Sequence, residues 1–303
     1  MAFSVNDINN YIQANEDMLI GKSVVGSKTA ALLNLQVGVK GTANLNLLTA
    51  TSGLQDGENC GFSASGNVTV SKRQIKTNIL KVNQTFCDKD LVGSSLQWGV
   101  KIAAGMETIP FEQNFIDQII KEINKDVEKI IWQGDVKVTG STLSLADGFI
   151  AILSGETSKV NASLSGKTLS GNTVDVINNI VAKIPDDIID RPDLVIFVGY
   201  DVYRTYIAAL QSANNFHFTG ELTADMKTVV PGTNIQIIAV PGLTGTNKAY
   251  ASYLENLYLG TDLENSQEVF DFWYSKDDDL FKLKVSFNIG VNCAYPDLVV
   301  YAA

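Results

Sequence analysis

One long amphipathic stretch constrains this chain of 303 residues more than any other feature. Across residues 111–135 the apolar side chains recur at steps of three, four and one, so they form one stripe along a helix, with most charged residues on the opposite face. Thr108 suits the N-cap, Pro110 suits the first turn, and Gly134 suits the position just past the end. Such a helix spans about 35 Å, and we expect it to lie on a sheet.

The chain before this helix has a different character. Residues 4–20 are predicted to form a weakly apolar helix, an arm that needs a partner for its order. Residues 32–82 alternate apolar and polar side chains, as half-buried strands do. A Gly-, Ser- and Asn-rich segment interrupts them, which predicts an extended hairpin with a loose tip and too few apolar residues near that tip to fold well alone.

The sequence after the long helix predicts a second, smaller layer and then a β-rich C-terminal segment. A polar stretch at 154–172 is typical of a boundary, and helix–strand alternation between about 172 and 253 predicts an inserted α/β layer. Within it we predict helices at 173–184 and from Asp201, which acts as the cap, and strands at 193–199 and 234–243. Two strands around an acidic turn at 276–279, and a last strand at 297–302, end the chain.

Composition excludes several classes of function. Hydrophobic residues make up 45% of the chain and charged residues 18%, with a net charge of −10. An acidic chain does not grip nucleic acid through its phosphates, although it can enclose it. Cys60, Cys87 and Cys293 lack metal-ligand spacing and are expected to be free thiols in a reducing compartment. Neither a secretion signal nor a membrane span is recognisable.

The sequence also contains no recognisable catalytic, phosphate-binding or metal-binding motif. The one histidine, His217, lies between aromatic residues without a nucleophile or an orienting partner, so a structural role is expected. The stretch "GKSVVGSKT" at 21–29 has Ser27 where a phosphate-binding loop needs lysine, and it follows a predicted helix rather than a strand. Three consecutive carboxylates at 277–279 are typical of a solvated turn rather than a calcium site. We therefore expect no catalytic residues, no cofactor and no metal.

The order of these parts resembles the major capsid proteins of tailed bacteriophages, with the Hong Kong 97-type capsid fold. The stretch "SKRQIKTNILKVNQTFCDKDL" is similar to the returning strand of that family's extension loop (E-loop). "FIDQIIKEINKDVEKIIWQGD" is similar to its spine helix, with Glu128 and Gly134-Asp135 where that helix ends, and "LADGFIAIL" to the segment that follows. Residues 174–210 resemble the opening of the axial domain, and residues 258–302 resemble the closing strands, including Gly260 and Gly290.

The resemblance implies an α+β fold with four parts. These are an N-terminal arm (1–35), strands and an extended hairpin or E-loop (36–88), a peripheral domain with the spine helix at 109–133 (89–171 and 254–303), and an axial α/β domain (172–253).

The resemblance also implies a structural function without catalysis. Copies would assemble into hexamers and pentamers of an icosahedral head that encloses double-stranded DNA without sequence-specific binding. The further partners would be separate scaffolding, portal and decoration proteins. No association with a membrane is expected. The location would be the virion capsid, after assembly in the host cytoplasm.

One contact between subunits can be assigned to residues. Lys72, Arg73 and Lys76 on the hairpin are expected to meet acids of the adjacent subunit, with Asp277, Asp278 and Asp279 as the candidates. The alternative is that both clusters only keep strand edges soluble.

Other functions stay open at this point. An encapsulin-type nanocompartment shell shares the fold and differs only in what it encloses. A tail-tube subunit fits the long helix and the inserted layer less well. A soluble hydrolase with an unrecognised carboxylate pair would instead be a compact monomer or small oligomer with a conventional pocket.

Overall fold

The computed structural model describes residues 5–55, 65–103, 111–212, 226–262 and 269–303. Within these ranges the chain forms two sheets, a separate two-stranded hairpin and the helices that pack on them. The α-helices are α1 (Val5–Val25), α2 (Asp88–Ala103), α3 (Phe111–Gln133), α4 (Phe149–Ser154), α5 (Thr173–Ala182) and α6 (Tyr200–Ser212).

The strands are mostly short, except for those of the hairpin and the long strand near the end of the chain. They are β1 (Asn34–Gln36), β2 (Thr42–Thr51), β3 (Asn67–Lys76), β4 (Asn78–Phe86), β5 (Val160–Asn161), β6 (Leu194–Val198), β7 (Lys227–Val229), β8 (Gln236–Ala239), β9 (Ala249–Tyr253), β10 (Leu257–Gly260), β11 (Val269–Ser275), β12 (Leu280–Cys293) and β13 (Val300–Ala302).

The long helix α3 confirms the opening prediction. It ends at Gln133, and the amide of Gly134 closes it by donating to the carbonyl of Ile130 at 3.0 Å. Its apolar stripe is buried in the main core, as the periodicity required. The predicted cap Thr108 and the first-turn Pro110 lie outside the described residues.

Helix α1 is longer than predicted and lies against its own chain. It continues to Val25 with a kink at Asn15, and its buried residues Ile8, Ile12 and Leu19 join the core beneath α3. The prediction that this segment needs a partner for its order is corrected accordingly, because α3 and β11 of the same molecule cover its apolar face. The phosphate-loop-like stretch at 21–29 starts inside this helix.

The first sheet is organised around β12. This 14-residue strand pairs antiparallel with β11 and β4 along its first part and with β10 along its last part, and β1 adds to β10 in parallel. The predicted closing hairpin is confirmed, since β11 and β12 pair from Val269 opposite Ser286 to Ser275 opposite Leu280. The inner face of this sheet packs on α1 and α3.

The second sheet has the order β5–β13–β9–β6–β8–β7. The predicted strand β6 is buried along its whole length, and helices α5 and α6 cover one face of the sheet, as expected for an α/β layer. Strands β5 and β13 come from outside the predicted axial segment 172–253 and complete the sheet at one edge.

One local prediction in this layer is wrong. Asp201 does not cap α6 but lies in its first turn, and its Oδ2 accepts a hydrogen bond from the amide of Gly245 at 3.1 Å. The carboxylate therefore fastens the helix start to a distant loop, a contact that local sequence cannot reveal.

The two sheets share one core at the end of α3. The indole of Trp132 is buried, with ring centroids 5.2 Å from Phe197 on β6 and 5.8 Å from Tyr250 on β9. The long helix thus connects the two sheets as a single packed unit.

Candidate assembly surface

The hairpin of β2 and β3 exposes apolar side chains on the face that points away from the molecule. Ten residue pairs form its antiparallel ladder, from Thr42 opposite Lys76 to Thr51 opposite Asn67. Leu48 lies opposite Val70, and Val68 lies opposite Ala50, so these side chains share one face. Leu48, Val68 and Val70 are 63%, 61% and 66% exposed, which is unusual for three neighbouring large aliphatic residues.

The opposite face of the hairpin is fastened to the body at its base. Leu45, Leu47 and Ile75 are buried there and pack against Ala294 and the rings of Tyr258 and Tyr295. Side chains alternate along a strand, so the base is fixed by one face while the other face stays open along the ladder. The sequence analysis predicted a hairpin that cannot fold well alone but did not name the residues of this outer face, although their signal was present in the alternation of residues 45–50 and 68–75.

The three predicted basic residues of the hairpin do not act together. Arg73 points toward the body, where its Nη2 lies 2.7 Å from Oε1 of Glu156 and 3.1 Å from Oδ1 of Asn292. Lys72 and Lys76 are exposed and point outward, on the same side as Leu48 and Val70. Within one chain, Arg73 is therefore an anchor of the hairpin base, and the two lysines form its outward charge.

The predicted acidic cluster forms the tip of the β11–β12 hairpin and is partly satisfied in its own chain. Asp278 accepts from Ser275 Oγ at 3.0 Å and from the ammonium of Lys282, and these hydrogen bonds, chiefly that of Lys282, lower the pKa of its carboxyl. Asp279 accepts from the hydroxyl of Tyr274. Asp277 is exposed.

The basic and acidic clusters are not brought together within the chain. The carbonyl of Lys76 lies over Gly290, whereas the acidic turn precedes Leu280 at the other end of β12. Ten residues of extended strand separate Leu280 from Gly290, which corresponds to about 34 Å.

A buried carboxylate on the long helix holds the segment that follows α1. Glu128 on α3 is almost completely buried and accepts two hydrogen bonds from Thr29, one from its amide at 2.8 Å and one from its hydroxyl. The hydroxyl of Thr29 in turn accepts from Trp132 Nε1 at 2.8 Å. Burial raises the pKa of Glu128, although the hydrogen bonds from Thr29 act in the opposite direction. This cluster ties the segment after α1 to the long helix.

The described residues give no sign of a reactive or metal centre. No three His, Cys, Asp or Glu side chains in these ranges come close enough together to hold a metal ion. Cys87 and Cys293 are free thiols, and burial raises the pKa of Cys293 to about 11. His217 and Cys60 lie outside the described residues. None of the described helices is long and apolar enough to span a membrane.

Comparison with known proteins identifies the fold. No family model and no curated protein matches this sequence. Among solved structures, a chain of the satellite phage P4 procapsid including size determination (Sid) protein is 13% identical with a TM-score of 0.65, covering 98% of this chain and 95% of that chain. A chain from the capsid of an empty GTA particle is 8% identical with a TM-score of 0.59, covering 93% and 89%. A virus-like particle from Pyrococcus furiosus is 10% identical with a TM-score of 0.51, covering 94% and 96%.

These similarities extend over nearly the whole chain. The predicted fold class is therefore confirmed: the chain has the Hong Kong 97-type fold of phage capsid proteins.

Proposed function

We propose that this chain, which has the fold of a phage capsid protein, is a major capsid protein. Its copies would assemble into the hexamers and pentamers of an icosahedral head that encloses double-stranded DNA. The observation that carries the proposal is the unpartnered outer face of the hairpin, formed by Leu48, Val68 and Val70 on a base that is fixed to the body.

The hairpin supplies the kind of contact that a ring requires. Its own base holds the ladder, and Leu48 lies six residues along β2 from the root at Thr42, about 20 Å away. The apolar face is therefore presented at a distance from the root, where a second copy can cover it. Such a contact joins two different surfaces of the same chain, and repeated head-to-tail contacts of this kind close into rings.

The charges of the chain fit the same function. Lys72 and Lys76 lie on the outward face of the hairpin, and Asp277 is exposed at the tip of another hairpin. Because these groups are far apart within one molecule, we assign them to a contact between neighbouring subunits, with Asp278 and Asp279 contributing beside Asp277. Such exposed pairs would set the orientation of the contact more than its strength. The net charge of −10 would let DNA lie against the wall without adhering to it.

The parts of the subunit take the roles that the fold implies. We assign residues 1–35 to the N-terminal arm, 36–88 to the hairpin with the strand β4 that follows it, 89–171 with 254–303 to the peripheral domain, and 172–253 to the axial domain, whose sheet is completed by β5 and β13. We assign assembly to the host cytoplasm, with separate scaffolding, portal and decoration proteins as the further partners.

Particle formation by paired variants tests this function. The purified chain is expected to form closed shells in negative stain, and L48D/V70D is expected to stay as free subunits because two charges enter the apolar face. T49D/T69D is the matched control, since it adds the same charges to the opposite face of the hairpin and should leave the shells intact. Shells formed equally well by L48D/V70D would contradict the proposal.

A nanocompartment shell that encloses protein is the second candidate. The similarity to the virus-like particle from Pyrococcus furiosus supports it, because that particle shares the fold over nearly the same length. The contents of the shell separate the two functions. Nuclease-resistant double-stranded DNA in particles from the native source supports the capsid, whereas a stoichiometric protein cargo without DNA supports the nanocompartment.

A further inference from the structure

Trp273 is an exposed aromatic residue that its own chain does not use. It follows Phe272 on β11, and because Phe272 is buried in the core and side chains alternate along a strand, Trp273 lies on the outward face of the first sheet. Trp273 is 39% exposed, and its indole makes no hydrogen bond and no aromatic contact within the described part of the chain. Tryptophan is among the residues that contribute most to binding energy at protein interfaces, so an exposed indole of this kind indicates a contact site.

An acidic side chain lies on the same face of the sheet as Trp273. Ser275 comes two positions later on β11, about 7 Å along the strand, and therefore shares this face. Its Oγ donates to Asp278 at 3.0 Å, and the ammonium of Lys282, the residue opposite Trp273 in the ladder, pairs with the same carboxylate. Both contacts hold Asp278 on the outward face, so the indole and the acidic turn are neighbours on one surface.

The acidic turn keeps a negative charge after its own lysines are counted. The three carboxylates at 277–279 stand against Lys276 and Lys282, so one carboxylate remains in excess. Lys284, the next lysine on the outward face, lies opposite Asp271 in the ladder. This end of the face therefore favours a partner that brings a cation beside an apolar group.

The outward face of the β2–β3 hairpin has that arrangement. Leu48 and Val70 form its exposed apolar pair, and Lys72 lies two positions after Val70 on the same face, again about 7 Å along the strand. Neither strand of this ladder contains an Asp or Glu. The apolar pair and the cation of the hairpin thus have the same spacing as the indole and the acidic turn of the sheet.

We propose that Trp273 of one copy covers Leu48 and Val70 of the neighbouring copy, with Lys72 of that hairpin at the acidic turn. This inference rests on the proposed function, because it names the surface that receives the hairpin. The charges set the direction of the contact: with Val70 over Trp273, Lys72 reaches the turn only when β3 runs in the same direction as β11. The contact joins two different surfaces of the chain, as a head-to-tail ring requires.

Substitution of Trp273 tests the apolar half of the contact. W273A is expected to raise the subunit concentration needed for shell formation by roughly tenfold or more, the effect of losing an interface residue of this kind. W273F keeps an aromatic ring on the hairpin and should recover most of the loss. W273A that forms shells at the wild-type concentration would overturn the inference.

Cysteine cross-linking tests the direction of the contact and keeps the indole in place. In a C60S/C87S background, K72C/S275C in assembled particles is treated with a short bis-maleimide that spans the separation of two stacked sheets, about 10 Å. Each chain carries both halves of the contact, so the expected product is a ladder of linked chains that extends beyond the dimer. S71C/S275C is the matched control, because Ser71 is exposed on the opposite face of the hairpin and should stay monomeric.

The outcomes separate this contact from the capsid function. Well-formed shells in which K72C/S275C gives no ladder, or gives no more than S71C/S275C, would overturn the assignment of Trp273 and leave the capsid function standing. A wild-type chain that forms no shells removes the proposed function and this inference with it.

Discussion

Gly260 on β10 lies directly opposite Gly290 on β12, and the hairpin base crosses the first sheet over this pair. A Cβ atom at Gly290 would lie 2.1 Å from the carbonyl oxygen of Lys76, and one at Gly260 would lie 2.7 Å from Cγ2 of Ile75. The close approach of two backbone layers thus depends on the absence of side chains at both positions.

Substitution of Gly290 by alanine should displace the hairpin base. The added methyl group meets backbone atoms, which cannot move aside as a flexible side chain can, so we expect G290A to lower the free energy of unfolding by about 2–3 kcal/mol. Urea unfolding measures the effect. G155A is the control, because its Cβ would meet only the carbonyl oxygen of Ile152 at an ordinary 3.5 Å. A G290A protein as stable as the wild type would show that the two layers are not in close contact.

Removal of the Arg73 side chain should loosen the hairpin without unfolding the body. R73A leaves Glu156 and Asn292 without their shared partner, and we expect a loss of roughly 1–2 kcal/mol, since the pair is charge-assisted but part-exposed. Hydrogen exchange of the β3 amides should speed up accordingly. K72A, one residue away on the outward face, should leave the exchange of the free subunit unchanged. The opposite ranking of the two variants would contradict the assignment of inner and outer faces.

The hydroxyl of Thr29 should be important for stability. T29V keeps the shape of the side chain but removes the donor to Glu128 and the acceptor for Trp132, so two buried polar groups each lose a partner. At about 1–3 kcal/mol for each such loss, we expect the free energy of unfolding to fall by roughly 2–5 kcal/mol. T85V, at an exposed threonine of β4, should change it by less than about 0.5 kcal/mol. Similar values for the two variants would contradict a stabilising role of the hydrogen bonds among Thr29, Glu128 and Trp132.

The same cluster should make stability depend on pH. Burial raises the pKa of Glu128 above its ordinary value of 4.5, so the folded state holds this proton more tightly than the unfolded state does. The stabilisation is fully present below about pH 4.5 and is lost as the pH rises through the folded pKa. E128Q cannot ionise, so the stability of the wild type relative to E128Q should decline from pH 4 to pH 8 in urea unfolding. A relative stability that increases with pH would contradict the assignment.

Local sequence patterns were sufficient to predict much of the fold. The stripe of α3, the buried run of β6 and the alternation in β11 and β12 each depend on neighbours in sequence, and the structure contains all three elements. The packing of α1 could not be predicted in the same way, because its partners are α3 and β11, a hundred residues or more later in the chain. Asp201 was misassigned for a related reason, since its partner is Gly245.

The assembly surface was predicted less completely than the fold. Lys72 and Arg73 are adjacent residues with the same charge, but the alternation of side chains along the strand places them on opposite faces of the hairpin. The contact of Arg73 with Glu156 depends on the tertiary fold. Leu96 and Val100 have a spacing visible in the sequence, yet the same spacing would serve a buried helix. The exposure of these two side chains is a property of the fold.

The central claim is that this subunit finds the partner of its hairpin on other copies of itself, and electron cryomicroscopy of the assembled particles tests it most directly. We predict closed icosahedral shells in which Leu48 and Val70 of each hairpin are covered by an adjacent copy. A chain that stays monomeric at high concentration, or shells in which both side chains remain open to solvent, would contradict the account.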